Sequence, residues 1–308
     1  MTWVRSIPAV LKLGRLHMIV AGFVLFLLGA CIALYDGAPF DTGRFLLGFL
    51  ILLPAHLALH YSNDYWDTEA DRFGEPTMFT GGSGVLVHSP QLRPVARWLA
   101  VALMVCSLAF SVIFVLAFAF PAWLLGYALL GNLLGWFYAA PPIRLSYRGL
   151  GEISTAITVG LLMPGLGYLT TRGGIASSFW LLTVPMLCYG VAFIFSVQIP
   201  DVEADRLGGK HTLVTRIGRR AGFVWAGAAY MAATASLLLV SLVVRGENPP
   251  WLPALTLFSL VPSAIGLVGL VRRPEDRQAA VGLVNAMLTG LIAFVVLSDV
   301  YLIYLLSR

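Results

Sequence analysis

The chain has 308 residues, of which 59% are hydrophobic and only 11% are charged, and its formal net charge at pH 7 is +5. Such a composition leaves too little polar surface to cover a soluble globule, so it excludes an ordinary water-soluble enzyme and predicts a polytopic membrane protein in contact with lipid. The modest positive charge is accounted for by membrane topology and an anion site, and we expect no nucleic-acid partner.

Apolar segments long enough to cross a hydrocarbon core of about 30 Å can be drawn at nine places along the chain. We predict that all nine are transmembrane helices, which makes the fold all-α. Their approximate bounds, in chain order, are 16–35, 43–62, 98–118, 120–138, 153–171, 178–199, 222–243, 251–271 and 280–305. Nothing in the sequence indicates a second soluble domain, so a single membrane domain is predicted over residues 1–308.

Basic residues are distributed unequally over the connections between these segments. If the N-terminus is cytoplasmic, sixteen Lys and Arg residues lie inside and four lie outside. The four outside residues are Arg44, Arg172, Arg245 and Arg308. Because cytoplasmic loops carry an excess of Lys and Arg, this distribution predicts a cytoplasmic N-terminus. The longest polar connections, 63–97, 139–152 and 200–221, lie on the same side, and we expect the functional site there.

An acidic octad occurs twice in these polar connections. DTEADRFG at 67–74 and DVEADRLG at 201–208 are identical at six of eight positions. Ser62 and Ser196 match under the same offset of 134 residues. The two copies indicate a parallel internal repeat of four-helix units, an arrangement that commonly has a binding site between its halves. We therefore expect the octads to face each other across one central cavity.

The first octad belongs to a longer acidic motif, NDYWDTEAD. Asp64, Asp67 and Asp71 are three and four residues apart, so their carboxylates share one face of a helix. Asp201 and Asp205 do the same in the second motif. Five converging acids repel one another and need a cation, and hard oxygen ligands favour Mg²⁺ or Ca²⁺. Mg²⁺ commonly combines one or two carboxylates with substrate phosphate oxygens, which favours magnesium bound to a diphosphate.

Basic side chains interleave with these aspartates and can each meet a diphosphate oxygen. They are Arg72, Arg144, Arg148, Arg206, Lys210 and Arg216. The alternative is that they only set the topology or neutralise helix ends. A diphosphate held at the mouth of an intramembrane cavity implies a lipid-tailed substrate, because each buried CH₂ contributes about 0.8 kcal/mol. Ionisation of an allylic diphosphate, assisted by a metal ion, is the chemistry that fits.

Three segments resemble those of the UbiA-type intramembrane aromatic prenyltransferases, in the same order and spacing. They are NDYWDTEAD, YAAPPIRLSYRGLGEI at 138–153 and DVEADRLGGKHTLVTRIG at 201–218. The resemblance implies nine transmembrane helices around a central cavity open to the cytoplasmic side. It also implies Mg²⁺ as cofactor, a prenyl diphosphate and an aromatic acceptor as substrates, and a prokaryotic cell membrane as the location.

The resemblance assigns roles to individual residues. The magnesium-binding positions would be Asn63, Asp64, Asp67, Asp71, Asp201 and Asp205. The basic residues at the diphosphate would be Arg15, Arg144, Arg148 and Lys210, and from its position among the aspartates we also expect Arg72 to bind substrate. Tyr138 would stabilise the allylic cation through its ring face. Arg15 is followed by Leu16 where the family has proline, which is the one departure at these positions.

The segment FTGGSGVL at 79–86, which we name the glycine loop, discriminates within the family. Its Gly-Gly pair resembles the 1,4-dihydroxy-2-naphthoate prenyltransferases of menaquinone synthesis more than the 4-hydroxybenzoate enzymes of ubiquinone synthesis. Gly81, Gly82 and Gly84 give the backbone freedom to cover the cavity or approach the acceptor closely. We therefore predict 1,4-dihydroxy-2-naphthoate as the acceptor, with Gly81 and Gly82 binding substrate.

Other interpretations remain open at this stage. The alternative acceptors are 4-hydroxybenzoate and other aromatic or lipid molecules. A membrane terpene cyclase is a further alternative, because it would ionise the same diphosphate without an acceptor. A transporter would need polar access from both faces, which the outer loops do not offer. His56 and His60 fit a polar cavity lining better than a metal pair, whereas Asn132 and Gln198 fit interhelical hydrogen bonds and cavity lining equally well.

Overall fold

The computed structural model describes residues 3–243 and 249–308, with side chains described except at residues 3–6 and 177. Within these ranges the chain consists of helices and connecting segments without a β-strand, which confirms the all-α prediction. Of the basic residues used to predict topology, Arg245 and the side chain of Arg5 lie outside this description.

The described ranges contain sixteen α-helices. The first eight are α1 (Trp3–Leu13), α2 (Leu16–Tyr35), α3 (Thr42–Asp67), α4 (Val85–His88), α5 (Arg93–Ala117), α6 (Trp123–Ala139), α7 (Leu145–Arg148) and α8 (Gly151–Ile157). The other eight are α9 (Met163–Arg172), α10 (Ser177–Gln198), α11 (Val202–Leu207), α12 (Leu213–Ile217), α13 (Arg219–Val243), α14 (Trp251–Phe258), α15 (Leu260–Arg272) and α16 (Arg277–Leu306). A π-helical turn at Thr158–Leu162 joins α8 to α9.

Eight helical segments of the described chain are long and apolar enough to cross a membrane. They are Leu16–Tyr35, Thr42–Asp67, Pro90–Ala117, Gly151–Arg172, Ser178–Leu207, Arg219–Val243, Trp251–Arg272 and Arg277–Leu306. The predicted count of nine is therefore not confirmed. The difference lies at the predicted span 120–138, where α6 has 17 residues. At 1.5 Å per residue α6 is about 26 Å long, which is short of a hydrocarbon core of about 30 Å.

The chain forms two compact units whose segments alternate along the sequence. Unit 1 consists of Met1–Phe23, Leu46–Ser154 and Asp201–Arg216. Unit 2 consists of Val24–Phe45, Thr155–Pro200 and Ile217–Arg308. Both acidic motifs belong to unit 1, so the candidate site is built within that unit.

Unit 1 is held together by an apolar cluster and by buried hydrogen bonds between helices. The cluster includes Leu13 of α1, Tyr61 of α3 and Leu86 of α4, all buried. Deeper in the bundle, Asn132 Nδ2 donates to Ser107 Oγ at 3.0 Å, and Ser107 Oγ donates to the carbonyl oxygen of Ile51 at 2.8 Å. Asn132 therefore makes an interhelical hydrogen bond, which was one of its two interpretations.

Unit 2 depends on close contact between helix backbones. A Cβ atom on Gly29 would lie 1.8 Å from the carbonyl oxygen of Pro164, and one on Gly167 would lie 1.9 Å from that of Phe26. Glycine is thus required at both positions for α2 and α9 to pack. Both amide atoms of Gln198 are buried without a hydrogen-bond partner among the described residues.

Candidate active site

The last three turns of α3 carry polar side chains on the buried face of the helix. His56, His60, Asp64 and Asp67 recur at intervals of four and three residues, which aligns them on one side. All four side chains are buried. Because an ionised group at membrane depth is costly unless it is paired, the partners of these residues define the site.

Lys210 lies at the centre of the acidic residues. Its Nζ is 2.9 Å from Asp67 Oδ2, 3.7 Å from Asp205 Oδ1 and 3.9 Å from Asp71 Oδ1. We call Asp67, Asp71, Asp205 and Lys210 the acidic cluster. Carboxylates from both octads thus meet around one ammonium group, so the two motifs come together as the sequence predicts.

The charges of the acidic cluster act on one another in a buried setting. Burial raises the pKa of Asp71 to about 7, although the nearby ammonium of Lys210 lowers it. Burial by itself would lower the pKa of Lys210, but Asp67, Asp205 and Asp71 outweigh this effect and hold the pKa well above its ordinary value. One ammonium faces three carboxyl groups, so the cluster still favours a further positive charge.

Asp64 and Asp201 are both bound by the glycine loop. The backbone N–H of Ser83 donates to each carboxylate oxygen of Asp64 at 3.3 Å, and Ser83 Oγ also donates to Asp64 Oδ2. Arg15 Nη2 lies 3.8 Å from Asp64 Oδ1. On the other motif, Thr80 Oγ1 donates to Asp201 Oδ1 at 3.3 Å. The loop therefore links the two aspartate motifs.

Gly81 and Gly82 allow this loop to approach the acidic cluster. Both have left-handed backbones, with φ of 80° and 68°. A Cβ on Gly82 would lie 2.3 Å from a carboxylate oxygen of Asp71, and one on Gly81 would lie 2.9 Å from the carbonyl oxygen of Glu75. Gly82 is thus packed against a carboxylate of the acidic cluster, whereas Gly81 is packed against the backbone of Glu75.

Two predicted diphosphate-binding arginines lie beside the acidic residues in unusual backbone conformations. Arg15, which pairs with Asp64, has φ of 44°, and Arg144 has φ of 50°. The Arg144 guanidinium lies 3.8 Å from the ring centroid of Tyr147, whose hydroxyl donates to Asp67 Oδ1 at 2.8 Å. Left-handed backbone at a non-glycine residue is costly and tends to persist at functional sites.

The other two predicted arginines are oriented differently. Arg72 pairs with Glu69 at 3.0 Å, and both side chains are more than half exposed. Arg148 is exposed, and its Nη2 donates to the carbonyl oxygen of Pro142 at 2.9 Å. Neither is among the recorded partners of the acidic cluster in the described chain, so their substrate-binding roles stay predictions.

Tyr138 lies in the last turn of α6, and Asn63 directly precedes Asp64 in α3. The Tyr138 carbonyl oxygen accepts a hydrogen bond from Ser146 Oγ at 2.8 Å, and the ring packs where a Cβ on Gly151 would come within 3.2 Å. Asn63 Oδ1 is buried and has no hydrogen-bond partner among the described residues. The role predicted for Tyr138 at the allylic cation is not tested by these contacts.

Sequence reasoning missed two residues of the site, Tyr147 and Glu152. Tyr147 binds Asp67, as described above. Glu152 is buried, and its Oε1 accepts a hydrogen bond from the backbone N–H of Leu213 at 2.7 Å, which fixes the segment that follows Lys210. A signal was present, since a carboxylate at the start of an apolar helix is costly without a partner.

The donor atoms of the site suit a hard divalent cation. No three His, Cys, Asp or Glu side chains of the described chain stand together as a ready-made metal site. The Lys210 ammonium lies among the carboxylates, 2.9 Å from Asp67, 3.7 Å from Asp205 and 3.9 Å from Asp71. The donors are carboxylate oxygens with excess negative charge, which fits Mg²⁺. His56 and His60, with ring centroids 5.0 Å apart, lack a third soft ligand and fit a polar lining.

An all-helical membrane fold with two converging aspartate motifs and buried basic partners defines a polytopic membrane protein with a buried charged site. Residues 23–289 match the UbiA prenyltransferase family. The chain therefore belongs to this family and is an integral membrane prenyltransferase.

Individual relatives agree with this assignment. The 1,4-dihydroxy-2-naphthoate octaprenyltransferase of Bacillus subtilis is 25% identical, over 83% of this chain and 80% of its own length. The digeranylgeranylglyceryl phosphate synthase of Sulfolobus acidocaldarius is also 25% identical, over 71% of this chain and 73% of its own. A UbiA homolog from Archaeoglobus fulgidus, solved with GPP and Mg²⁺, superposes with a TM-score of 0.64 at 15% identity, covering 94% of this chain and 99% of that one.

Replacing Gly82 by Ala is expected to lower prenyl transfer at least about tenfold, because the new Cβ displaces the Asp71 carboxylate and left-handed alanine costs about 1–2 kcal/mol. Gly37→Ala is the matched control, since Gly37 has φ of 84° but nothing within 4 Å of its Cβ position. The control should lose stability only. Equal activity losses in the two variants, measured by steady-state turnover beside thermal unfolding, would assign the effect to backbone strain alone.

Proposed function

We propose that the protein transfers a prenyl group from a prenyl diphosphate to 1,4-dihydroxy-2-naphthoate, a step of menaquinone synthesis. The observation that carries the proposal is the meeting of both aspartate motifs around Lys210, 2.9 Å from Asp67. The Gly-Gly pair, of which Gly82 packs against Asp71, supports the acceptor assignment, as does the similarity to the Bacillus subtilis octaprenyltransferase over most of both chains.

The residues that would hold Mg²⁺ are the five carboxylates of the two motifs. They are Asp64, Asp67, Asp71, Asp201 and Asp205. When bound, Mg²⁺ supplies Lewis-acid neutralisation of the charge that develops on the diphosphate as the allylic C–O bond breaks. Similarity to a homolog solved with GPP and Mg²⁺ supports this cofactor.

The chain's own residues position the substrate. Lys210, Arg15 and Arg144 offer charge-assisted hydrogen bonds to diphosphate oxygens. Tyr147 orients the Asp67 carboxylate through its 2.8 Å hydrogen bond. The aromatic face of Tyr138 shields the allylic cation from water. An electron-rich ring carbon then attacks this cation, and the ring loses a proton to regain aromaticity.

We further propose that the chain acts as a single membrane domain over residues 1–308, with its N-terminus and site at the cytoplasmic face of a prokaryotic cell membrane. The excess of sixteen inside over four outside Lys and Arg residues in the nine-span topology supports this orientation. A lipid acceptor is the second candidate, because a relative named as a digeranylgeranylglyceryl phosphate synthase has the same 25% identity.

A competition assay tests the acceptor. The purified protein receives Mg²⁺, a long-chain prenyl diphosphate, and equal amounts of 1,4-dihydroxy-2-naphthoate and 4-hydroxybenzoate, and the products are identified by mass spectrometry. Prenylated naphthoate is expected as the main adduct. Diphosphate release without an adduct to either ring would contradict the aromatic acceptor and favour a lipid acceptor or cyclisation.

A further inference from the structure

The buried face of α3 continues inward beyond the acidic cluster with polar atoms that the proposed chemistry leaves unused. His60 precedes Asp64 by four residues, so it lies one turn, about 6 Å, further along the helix axis and on the same face. His60 Nε2 and Asn63 Oδ1 are both buried and have no hydrogen-bond partner within the described chain. The Nε2 atom of His60 is thus an unsatisfied polar atom one helical turn from the first aspartate of the motif.

The neighbours of His60 are already engaged with other groups. Arg15, His17 and His56 are the charged or titratable residues that act on it electrostatically. Arg15 pairs with Asp64 at 3.8 Å, and His17 Nε2 is 2.8 Å from the carbonyl oxygen of Met78. The Nε2 atom of His60 itself is buried and has no hydrogen-bond partner in the described chain.

His56, one turn further inward, provides a structural comparison. A Cβ on Gly22 would lie 2.4 Å from its Nδ1, so the His56 ring is packed tightly against the backbone of α2. Packing therefore accounts for His56. Packing does not explain why the Nε2 atom of His60 is buried without a hydrogen-bond partner, because leaving a polar atom unsatisfied within a membrane bundle costs free energy. Such an atom is by default a candidate for ligand binding.

We propose that His60 binds a ring hydroxyl of the aromatic acceptor and so selects hydroxylated rings. This inference rests on the proposed function and specifies which residue recognises the acceptor. A phenolic hydroxyl both donates and accepts hydrogen bonds, so it pairs with Nε2 in either imidazole tautomer. An acceptor bound here lies beside Asp64, on the helix that carries the first aspartate motif.

The test compares His60→Leu and His60→Gln with the wild type, using acceptors that differ by one hydroxyl. The acceptors are 1,4-dihydroxy-2-naphthoate and its two monohydroxy analogues. In the wild type, loss of the recognised hydroxyl should lower kcat/KM by about 10–100-fold. In His60→Leu, loss of the same hydroxyl should lower kcat/KM by less than about threefold relative to the kcat/KM of that variant with 1,4-dihydroxy-2-naphthoate. The intrinsic reactivity of each ring cancels because wild type and variant are compared with the same acceptors, as in a double-mutant cycle. Gln should retain part of the discrimination.

A second readout separates this inference from the function on which it rests. Affinity for prenyl diphosphate with Mg²⁺, measured by calorimetry without acceptor, should stay within about twofold in His60→Leu. His88→Leu, at an exposed histidine, is the matched control and should match the wild type throughout. Thermal unfolding confirms that each variant is folded. If His60→Leu does not fold, acceptor discrimination is compared between the wild type and His60→Gln, which keeps a polar group at this position.

Each outcome decides between the alternatives. Unchanged discrimination in both His60 variants overturns the inference while the proposed function stands. Weakened prenyl diphosphate binding in His60→Leu also overturns it, because the residue would then serve the diphosphate or the fold. A wild type that binds prenyl diphosphate but alkylates no hydroxylated ring removes the proposed acceptor, and the hydroxyl site with it.

Discussion

Replacing Asp67 by Asn is expected to lower kcat for prenyl transfer by at least about 10²–10³-fold, the usual effect of removing a charge-stabilising group from an active site. Asn keeps an oxygen that can accept the 2.8 Å hydrogen bond from Tyr147, but it loses the charge that Lys210 approaches at 2.9 Å. The variant should therefore fold normally. Turnover with Mg²⁺ and thermal unfolding, measured on the same preparation, check both halves of this expectation.

Glu69→Gln is the control for the Asp67 variant. Glu69 lies two residues further along the same octad, but its side chain is 65% exposed and pairs with Arg72. Exposed pairs contribute little, so this variant should retain wild-type turnover. Asp201→Asn should lower kcat for prenyl transfer as Asp67→Asn does. Substantial activity in either aspartate variant would contradict the assignment of the five carboxylates to the metal.

Replacing Lys210 by Met is expected to lower both activity and stability. Without the ammonium, Asp67, Asp71 and Asp205 face one another uncompensated, and removing one partner of a buried ion pair costs about 3–5 kcal/mol. Mg²⁺ should raise the Tm of this variant more than that of the wild type, because the ion replaces part of the missing positive charge. Thermal unfolding in detergent, with EDTA and then with Mg²⁺, measures the difference.

Lys12→Met controls for the loss of one positive charge. Lys12 is exposed in the last turn of α1. Its replacement should leave Tm and the magnesium response near those of the wild type. If Mg²⁺ raised the Tm of the two lysine variants equally, the special position of Lys210 among the carboxylates would be refuted.

Sequence spacing predicted only part of the arrangement of the acidic residues. Asp64 and Asp67 share the buried face of α3, but α3 ends at Asp67 and Asp71 lies in the separate 3₁₀ turn Ala70–Phe73, so the prediction that all three share one helix face was wrong for Asp71. The repeated octad predicted that the two motifs would approach each other, and Asp205 lies near Lys210 together with Asp67. Composition was likewise sufficient for the all-α membrane fold. These features depend on local periodicity, which a single sequence displays directly.

Residue type alone did not predict which basic groups reach the site. Arg144 stacks on Tyr147 and Arg148 turns to the Pro142 carbonyl, although the two arginines are only four residues apart. The left-handed backbone of Arg144 depends on tertiary packing, which no local pattern encodes. Glu152 was missed for a related reason, since its partner Leu213 is 61 residues away.

The length of α6 was overestimated for a local reason. The predicted span began at 120, but Ala119 adopts a left-handed φ of 48° and α6 starts only at Trp123. An apolar composition extends through this turn, so hydropathy cannot detect it.

The separation between the two halves of the acidic cluster has a consequence for biosynthesis. Lys210 follows Asp67 by 143 residues, and at about 5–20 residues per second a ribosome needs roughly 7–30 s to add them. During that interval the first aspartate motif has been synthesised, but Lys210, which pairs with it in the folded protein, has not. Contacts so distant in sequence form slowly once both ends exist. The acidic cluster can therefore form only after residue 210 has been synthesised, and chains truncated before residue 210 should be preferred substrates for membrane quality-control proteases.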